Sequence, residues 1–174
     1  GYVGTKAQYI NDIKSLNEEK WREKQTEIKA QEDSIEQVNA QNEEIQKTLE
    51  TKYDQVAKQL EQAGNAFQDA RIEKSNLQSE MKKLVKEDKF FQDNDVCPTC
   101  TQEIDENIKG QKVKGIAAKA KEIQKTFQAV EDKLSNGKST VDDLQNQNKK
   151  SMELQGLLRD NNTKINMSRR LIAK

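Results

Sequence analysis

Apolar residues recur every seven positions through the first half of the chain, with polar residues between them. One such row consists of Ile28, Ile35, Leu49, Val56, Ala63, Ala70, Leu77 and Leu84, with Asn42 in the remaining position. A seven-residue repeat that is interleaved with a second apolar row is typical of helices paired in a coiled coil. The second row lies three residues after the first up to Leu49 but four residues after it beyond Val56, which predicts a local stutter near Lys52 and Tyr53.

The second half of the chain repeats this pattern from Val113 onward, with apolar residues alternately three and four positions apart. Between the halves the period is lost, and the residues that favour turns, Asp, Asn and the single proline, are found there. The sequence therefore predicts an all-α fold, a long antiparallel two-helix coiled-coil hairpin. Its first arm is residues 1–89, its tip is residues 90–112 and its second arm is residues 113–174.

A turn centred on the two cysteines of the tip predicts how the arms align. In that register apolar residues face each other along the arms, with Phe67 opposite Val130 and Leu60 opposite Gly137. Gly64 of the first arm lies at nearly the same distance from the tip as Gly137 of the second arm. The two glycines are compatible with a flexible joint at this level and also with continuous helices. Farther from the tip, polar residues such as Asn42 occupy core positions, where they fix the register at a cost in stability.

The same register leaves the first 22 residues without a facing segment. The apolar side chains concerned are Tyr9, Ile10, Ile13, Leu16 and Trp21. We expect the chain to be a segment of a longer protein that supplies their partners.

Composition favours long helices over a compact globule. Charged residues make up 34% of the chain, hydrophobic residues 32% and aromatic residues 5%, which is too few apolar side chains for a globular core. The 30 basic and 30 acidic residues cancel, so no overall field favours nucleic acid or an anionic membrane. No apolar run approaches the roughly 20 residues that cross a bilayer, and no signal peptide is recognisable, so we expect a cytoplasmic protein without a membrane partner.

The candidate chemistry lies in Cys97 and Cys100, which are the only cysteines of a chain that has no histidine. A CxxC turn presents two sulfur ligands to one zinc ion, and a structural zinc site takes four ligands. The simplest completion is the same pair from a second chain, so that one zinc ion is shared by two chains of a homodimer. Backbone N–H groups near Cys100 are expected to donate to sulfur and help keep it anionic.

Other interpretations of the tip stay open. The pair fits a dithiol redox module carried on a stalk, or an idle pair on a coiled-coil rod that dimerises through its arms. Neighbouring carboxylates are further ligand candidates, or else belong to a solvated turn in which Asp105 caps the second helix. These carboxylates are Asp93, Asp95, Glu103 and Asp105.

A long hairpin interrupted by Cys-Pro-x-Cys, with Ile104 four residues after the second cysteine, resembles the zinc hook of SMC-like double-strand-break-repair ATPases. Bacterial SbcC and the large subunits of phage recombination endonucleases belong to that family. The resemblance implies that the segment lies between two ATPase halves that associate with a nuclease subunit and with DNA, and that Cys97 and Cys100 are the hook ligands. It also implies a zinc-mediated homodimerisation hook and tether, and no enzymatic reaction within this segment.

Overall fold

Helices make up nearly all of the molecule, and the predicted all-α fold class is confirmed. The computed structural model describes residues 2 to 173, with side chains from residue 4 onward. Helix α1 spans Tyr2–Thr48, helix α2 spans Val56–Asp93 and helix α3 spans Glu106–Ile172. Within the described residues, one isolated bridge between Val96 and Glu103 is the only β-type pairing. None of the helices in this range contains an apolar stretch long enough to cross a membrane.

A π-helical turn, Leu49–Tyr53, follows α1 directly and precedes α2. The wider winding of a π turn changes the angle at which later side chains leave the helix, so the spacing of the apolar rows changes with it. This turn coincides with the place where the second apolar row moves from three to four residues after the first. The predicted stutter near Lys52 and Tyr53 is therefore confirmed.

The chain divides into two compact units, each described by itself. The tip unit is Gln55–Gln147, and the terminal unit comprises the described residues up to Asp54 together with those from Asn148 onward. Helix α3 contributes to both units, whereas α1 belongs to the terminal unit and α2 to the tip unit.

In the tip unit, α2 and the first part of α3 pack antiparallel along their apolar rows. The side chains buried there are Val56, Ala70, Ile116 and Val130. Around this seam, Nζ of Lys74 lies 2.9 Å from Oε1 of Glu131. The same ammonium lies 5.3 Å from the ring centre of Phe127, so it adds a cation–π contact to the ion pair.

The register predicted for the arms is wrong by seven residues. The prediction places Phe67 opposite Val130, but Phe67 lies against Gly137, where an added Cβ would be 3.3 Å from Cδ2 of Phe67. Part of the difference comes from an asymmetric tip, because α2 ends four residues before Cys97 whereas α3 begins six residues after Cys100. One heptad separates the two alignments, so each of them places apolar rows face to face.

Helices α2 and α3 run without a break through Gly64 and Gly137. Of the two hypotheses for this level, the continuous helix is therefore the one observed. The absence of a side chain at Gly137 has a packing role, because it makes room for the ring of Phe67.

The terminal unit contains a buried polar layer. Nδ2 of Asn42 donates to Oδ1 of Asn162 at 3.1 Å, and Nδ2 of Asn161 donates to Oδ1 of Asn42 at 2.9 Å. Asn161 is only 3% exposed, so these hydrogen bonds satisfy amide groups that have little access to water. The prediction that Asn42 occupies a core position is confirmed.

The first half of α1 carries exposed apolar side chains. They are Tyr9, Ile10, Ile13, Leu16 and Trp21. Their exposure agrees with the prediction that the paired part of the hairpin does not cover this stretch.

Candidate metal centre

Both helices that lead into the tip are capped by side chains. At the end of α2, Nδ2 of Asn94 donates to the carbonyl of Phe90 at 2.8 Å. At the start of α3, Oδ1 of Asp105 accepts from the N–H groups of Asn107 at 2.7 Å and Ile108 at 3.3 Å. These contacts satisfy helix-end groups that lack partners within the helix. They confirm Asp105 as a helix cap and fix the ends of the segment that carries the cysteines.

Residues 94 to 105 form a small antiparallel loop between these caps. The amide of Ile104 donates to the carbonyl of Asp95, and the amide of Cys97 donates to the carbonyl of Gln102, each at 2.8 Å. Between these two bonds lies the bridge of Val96 with Glu103. The backbone on either side of the cysteine turn is thus tied by two hydrogen bonds that flank the Val96–Glu103 pair.

The turn itself closes through the amide of Thr101, which donates to the carbonyl of Cys97 at 2.8 Å. Thr101 has φ of 59°, the left-handed region that a β-branched side chain adopts at a cost of about 1–2 kcal/mol. Its Oγ1 donates to the carbonyl of Cys100 at 2.7 Å, which offsets part of that cost. This conformation lets the chain turn back immediately after the second cysteine.

The turn places the side chains of Cys97 and Cys100 3.5 Å apart. Two thiolates on one tetrahedral zinc ion, each about 2.3 Å from the metal, are about 3.8 Å apart. The sulfur atoms of a disulfide, by contrast, are about 2.05 Å apart. The separation of the two free cysteines is thus closer to that of two ligands of one zinc ion than to that of a disulfide.

The environment of the thiols favours the deprotonated form of Cys97. Hydrogen bonds from the backbone N–H of Cys100 first, and then from that of Thr99, lower the pKa of the Cys97 thiol below its ordinary value of 9.0. N–H donors stabilise the thiolate, which is the form that binds a metal. The lowered pKa is in the direction expected from amides of the turn that donate to sulfur. Cys97 is half-buried, whereas Cys100 is exposed and its Sγ lies 3.8 Å from Oε1 of Gln102.

One ion pair connects the small loop to α3. Nζ of Lys109 lies 2.8 Å from Oδ1 of Asp95, and the lysine side chain is 17% exposed against 85% for the aspartate. The hydrogen bond from Lys109 lowers the pKa of Asp95, and the same bond raises the pKa of Lys109. This carboxylate therefore serves the architecture of the loop.

The other acidic candidates do not gather around the sulfurs. Within residues 2 to 173, no group of three or more His, Cys, Asp and Glu side chains is arranged to hold a metal ion. Asp105 is engaged at the helix start and Asp95 with Lys109. The structure thus brings together Cys97 and Cys100 and leaves the neighbouring carboxylates outside that pair.

Beneath the loop, Phe90 and Phe91 pack edge to face, with ring centres 5.3 Å apart and ring planes at 83°. Both are half-buried on the last turns of α2. Edge-to-face packing is a favourable arrangement for two aromatic rings and stiffens the end of this helix.

Sequence reasoning missed two features of the site, the ion pair of Asp95 with Lys109 and the left-handed residue Thr101. The ion pair joins residues across a loop of unknown shape, so no spacing rule applies to it. At position 101 a glycine would have indicated positive φ, but threonine gives no such signal.

Comparison of the chain with known proteins gave no match. This holds for protein-family models, for curated protein sequences and for solved structures alike. The chemistry of Cys97, Cys100 and the residues that position them therefore carries the functional interpretation.

Proposed function

We propose that the tip is a zinc-dependent dimerisation site, in which Cys97 and Cys100 of one chain and the same pair of a second copy hold one zinc ion. The observation that carries this proposal is the 3.5 Å spacing of the two side chains, which suits joint ligation of a single ion. The amides that lower the pKa of Cys97 support it, because they favour the metal-binding form of that thiol.

The need for a second copy follows from the number of ligands. The chain has two cysteines and no histidine, whereas structural zinc is almost always bound by four ligands, commonly sulfur and imidazole nitrogen. Two copies of one turn, related by a two-fold axis, supply four identical thiolates. The exposure of Cys100 leaves the pair accessible to a second tip. Zinc in this position supplies a link between chains and no reaction.

The role of such a link is that of a tether. The Cys-Pro-x-Cys turn at the tip of paired helices is similar to the zinc hook of double-strand-break-repair ATPases. On that basis the segment connects two copies of an ATPase subunit that works with a nuclease on DNA. A site of paired thiolates requires a reducing compartment, so we place the protein in the cytoplasm.

The test measures zinc per chain and molar mass on the same reduced, zinc-loaded sample. We expect one zinc ion per two chains and a dimer that dissociates on chelation, with unchanged helix content by circular dichroism. Cys97→Ser should remove both zinc and dimer, because one thiolate per chain is too few to complete the site. Thr99→Ala is the control within the same turn, since it keeps both thiols and the backbone amides and removes only the smallest of the hydrogen bonds that lower the pKa of Cys97, so it should still dimerise.

Two results would contradict the proposal. Zinc bound in full by a monomer would mean that one chain completes the site alone. Dimers of Cys97→Ser that persist under chelator would mean that the helical arms hold the copies together and that the cysteines are idle.

A further inference from the structure

The two thiols of the tip are close enough to react with each other. Their side chains are 3.5 Å apart, and a disulfide requires a closer approach, to about 2.05 Å between sulfurs. We expect rotation of the two side chains about the Pro98-Thr99 turn to bring the sulfurs together without movement of the helices. The turn is held from outside the pair by the bonds of Cys97 with Gln102 and Thr101, and these use backbone atoms only.

The pair is also accessible and without competitors. Cys100 is exposed and Cys97 is half-buried, so a small reagent reaches the sulfurs from solvent. The chain has no third cysteine, so each thiol has one intrachain partner. Because that partner is tethered three residues away, its effective concentration exceeds that of any thiol on another molecule at ordinary protein concentrations.

We propose that the tip is a reversible thiol–disulfide site, in which a low-molecular-weight disulfide oxidises Cys97 and Cys100 to an intrachain disulfide. The disulfide can be formed by a single chain, independently of any dimer. Its consequence rests on the proposed function, because the oxidised pair has no thiolates left to bind zinc. Oxidation therefore releases the link between two copies, and reduction restores it.

The chemistry is two successive thiol–disulfide exchanges. One cysteine loses its proton to solvent and its thiolate attacks a sulfur of the small disulfide, which forms a mixed disulfide and expels one small thiolate. The other cysteine, also deprotonated, attacks the protein sulfur of that mixed disulfide and expels the second small thiolate. The protein loses two electrons and the small disulfide gains them. The two protons released by the cysteines are taken up by the two small thiolates.

The experiment uses the full chain, first free of metal, with oxidised glutathione as the probe. We expect intact mass under non-reducing conditions to show the loss of two hydrogens from a monomer without attached glutathione. In Cys97→Ser and Cys100→Ser the second exchange is impossible, so a mixed disulfide with glutathione should accumulate instead. Circular dichroism should show the same helix content before and after oxidation.

A second experiment starts from the zinc-loaded protein. Zinc protects thiolates, so we expect oxidation to slow by about tenfold or more and the dimer to dissociate in step with disulfide formation. Dithiothreitol and zinc together should restore the dimer. A dimer that survives complete intrachain oxidation would overturn the regulatory part of the proposal.

The two proposals fail in different ways. Disulfide-linked dimers, or a mixed disulfide that persists in the natural protein, would overturn the intrachain site even if zinc dimerises the reduced chain. If the intrachain disulfide forms but zinc never produces a dimer, the thiol–disulfide site stands, whereas the proposed function and the redox release of the dimer are overturned.

Discussion

Asp95 and Lys109 join the cysteine loop to helix α3 through one ion pair. The hydrogen bond from Lys109 lowers the pKa of Asp95 below the ordinary carboxyl value of 3.8. The ion pair therefore stabilises the loop in full when the pH is above that ordinary value. This contribution is lost as the pH falls through the lowered pKa. The pKa of Lys109 is raised, so at the alkaline end the contribution is complete below the ordinary value of 10.5 and is lost as the pH rises through the raised pKa.

Replacing Asp95 with asparagine should loosen the loop at neutral pH. We expect amide exchange of Ile104, whose N–H donates to the Asp95 carbonyl, to become about threefold faster, as for an exposed ion pair. The difference should vanish in acid, below the lowered pKa of Asp95. Asp93→Asn removes an equal charge outside this ion pair and is the control. An equal effect of both variants would show that total charge matters and the ion pair does not.

At the scale of elements, two glycines on paired helices have different surroundings. An added Cβ at Gly64 meets nothing within 4 Å, whereas at Gly137 it would lie 3.3 Å from Cδ2 of Phe67. Alanine is favoured over glycine in a helix by about 1 kcal/mol. We expect Gly64→Ala to raise the melting temperature and Gly137→Ala to raise it less or lower it, because Phe67 must shift. Equal stabilisation in thermal unfolding followed by circular dichroism would contradict the contact with Phe67.

The polar layer of the terminal unit gives a second prediction for the helices. Asn42→Ala leaves the Nδ2 group of buried Asn161 without its acceptor, at a cost of about 1–3 kcal/mol. The variant should unfold at a lower urea concentration. Asn39→Ala makes the same chemical change at an exposed position of α1 and should not destabilise the protein. If the two variants behave alike, the layer contributes nothing to stability.

Periodicity predicted the helices well because it depends on which face of a helix is buried. It located the stutter at Lys52 and Tyr53, where the apolar rows change spacing and the π turn is found. It could not select the register, since a shift of one heptad again places apolar residues opposite each other. Contacts of individual side chains distinguish the two alignments, such as Phe67 against Gly137 and the ion pair of Lys74 with Glu131.

The cysteine pair of the candidate site could be predicted from the sequence, whereas the loop that positions the pair could not. Two cysteines in a CxxC turn indicate a metal or redox pair from spacing alone. The loop that positions them depends on backbone pairing and on a left-handed threonine, neither of which has a local pattern in the residues. The position of Asp105 before α3 did predict its role, because an aspartate there is a common helix cap.

At the scale of the whole molecule, partners lie at very different distances along the chain. Lys109 is 14 residues from Asp95, Glu131 is 57 from Lys74 and Asn162 is 120 from Asn42. Closing the longest of these loops directly from the unfolded chain costs about 2 kcal/mol more entropy than closing the shortest. Folding should therefore nucleate near the cysteine turn and propagate outward. In stopped-flow kinetics, Asp95→Asn should mainly slow folding, whereas Asn42→Ala should mainly accelerate unfolding.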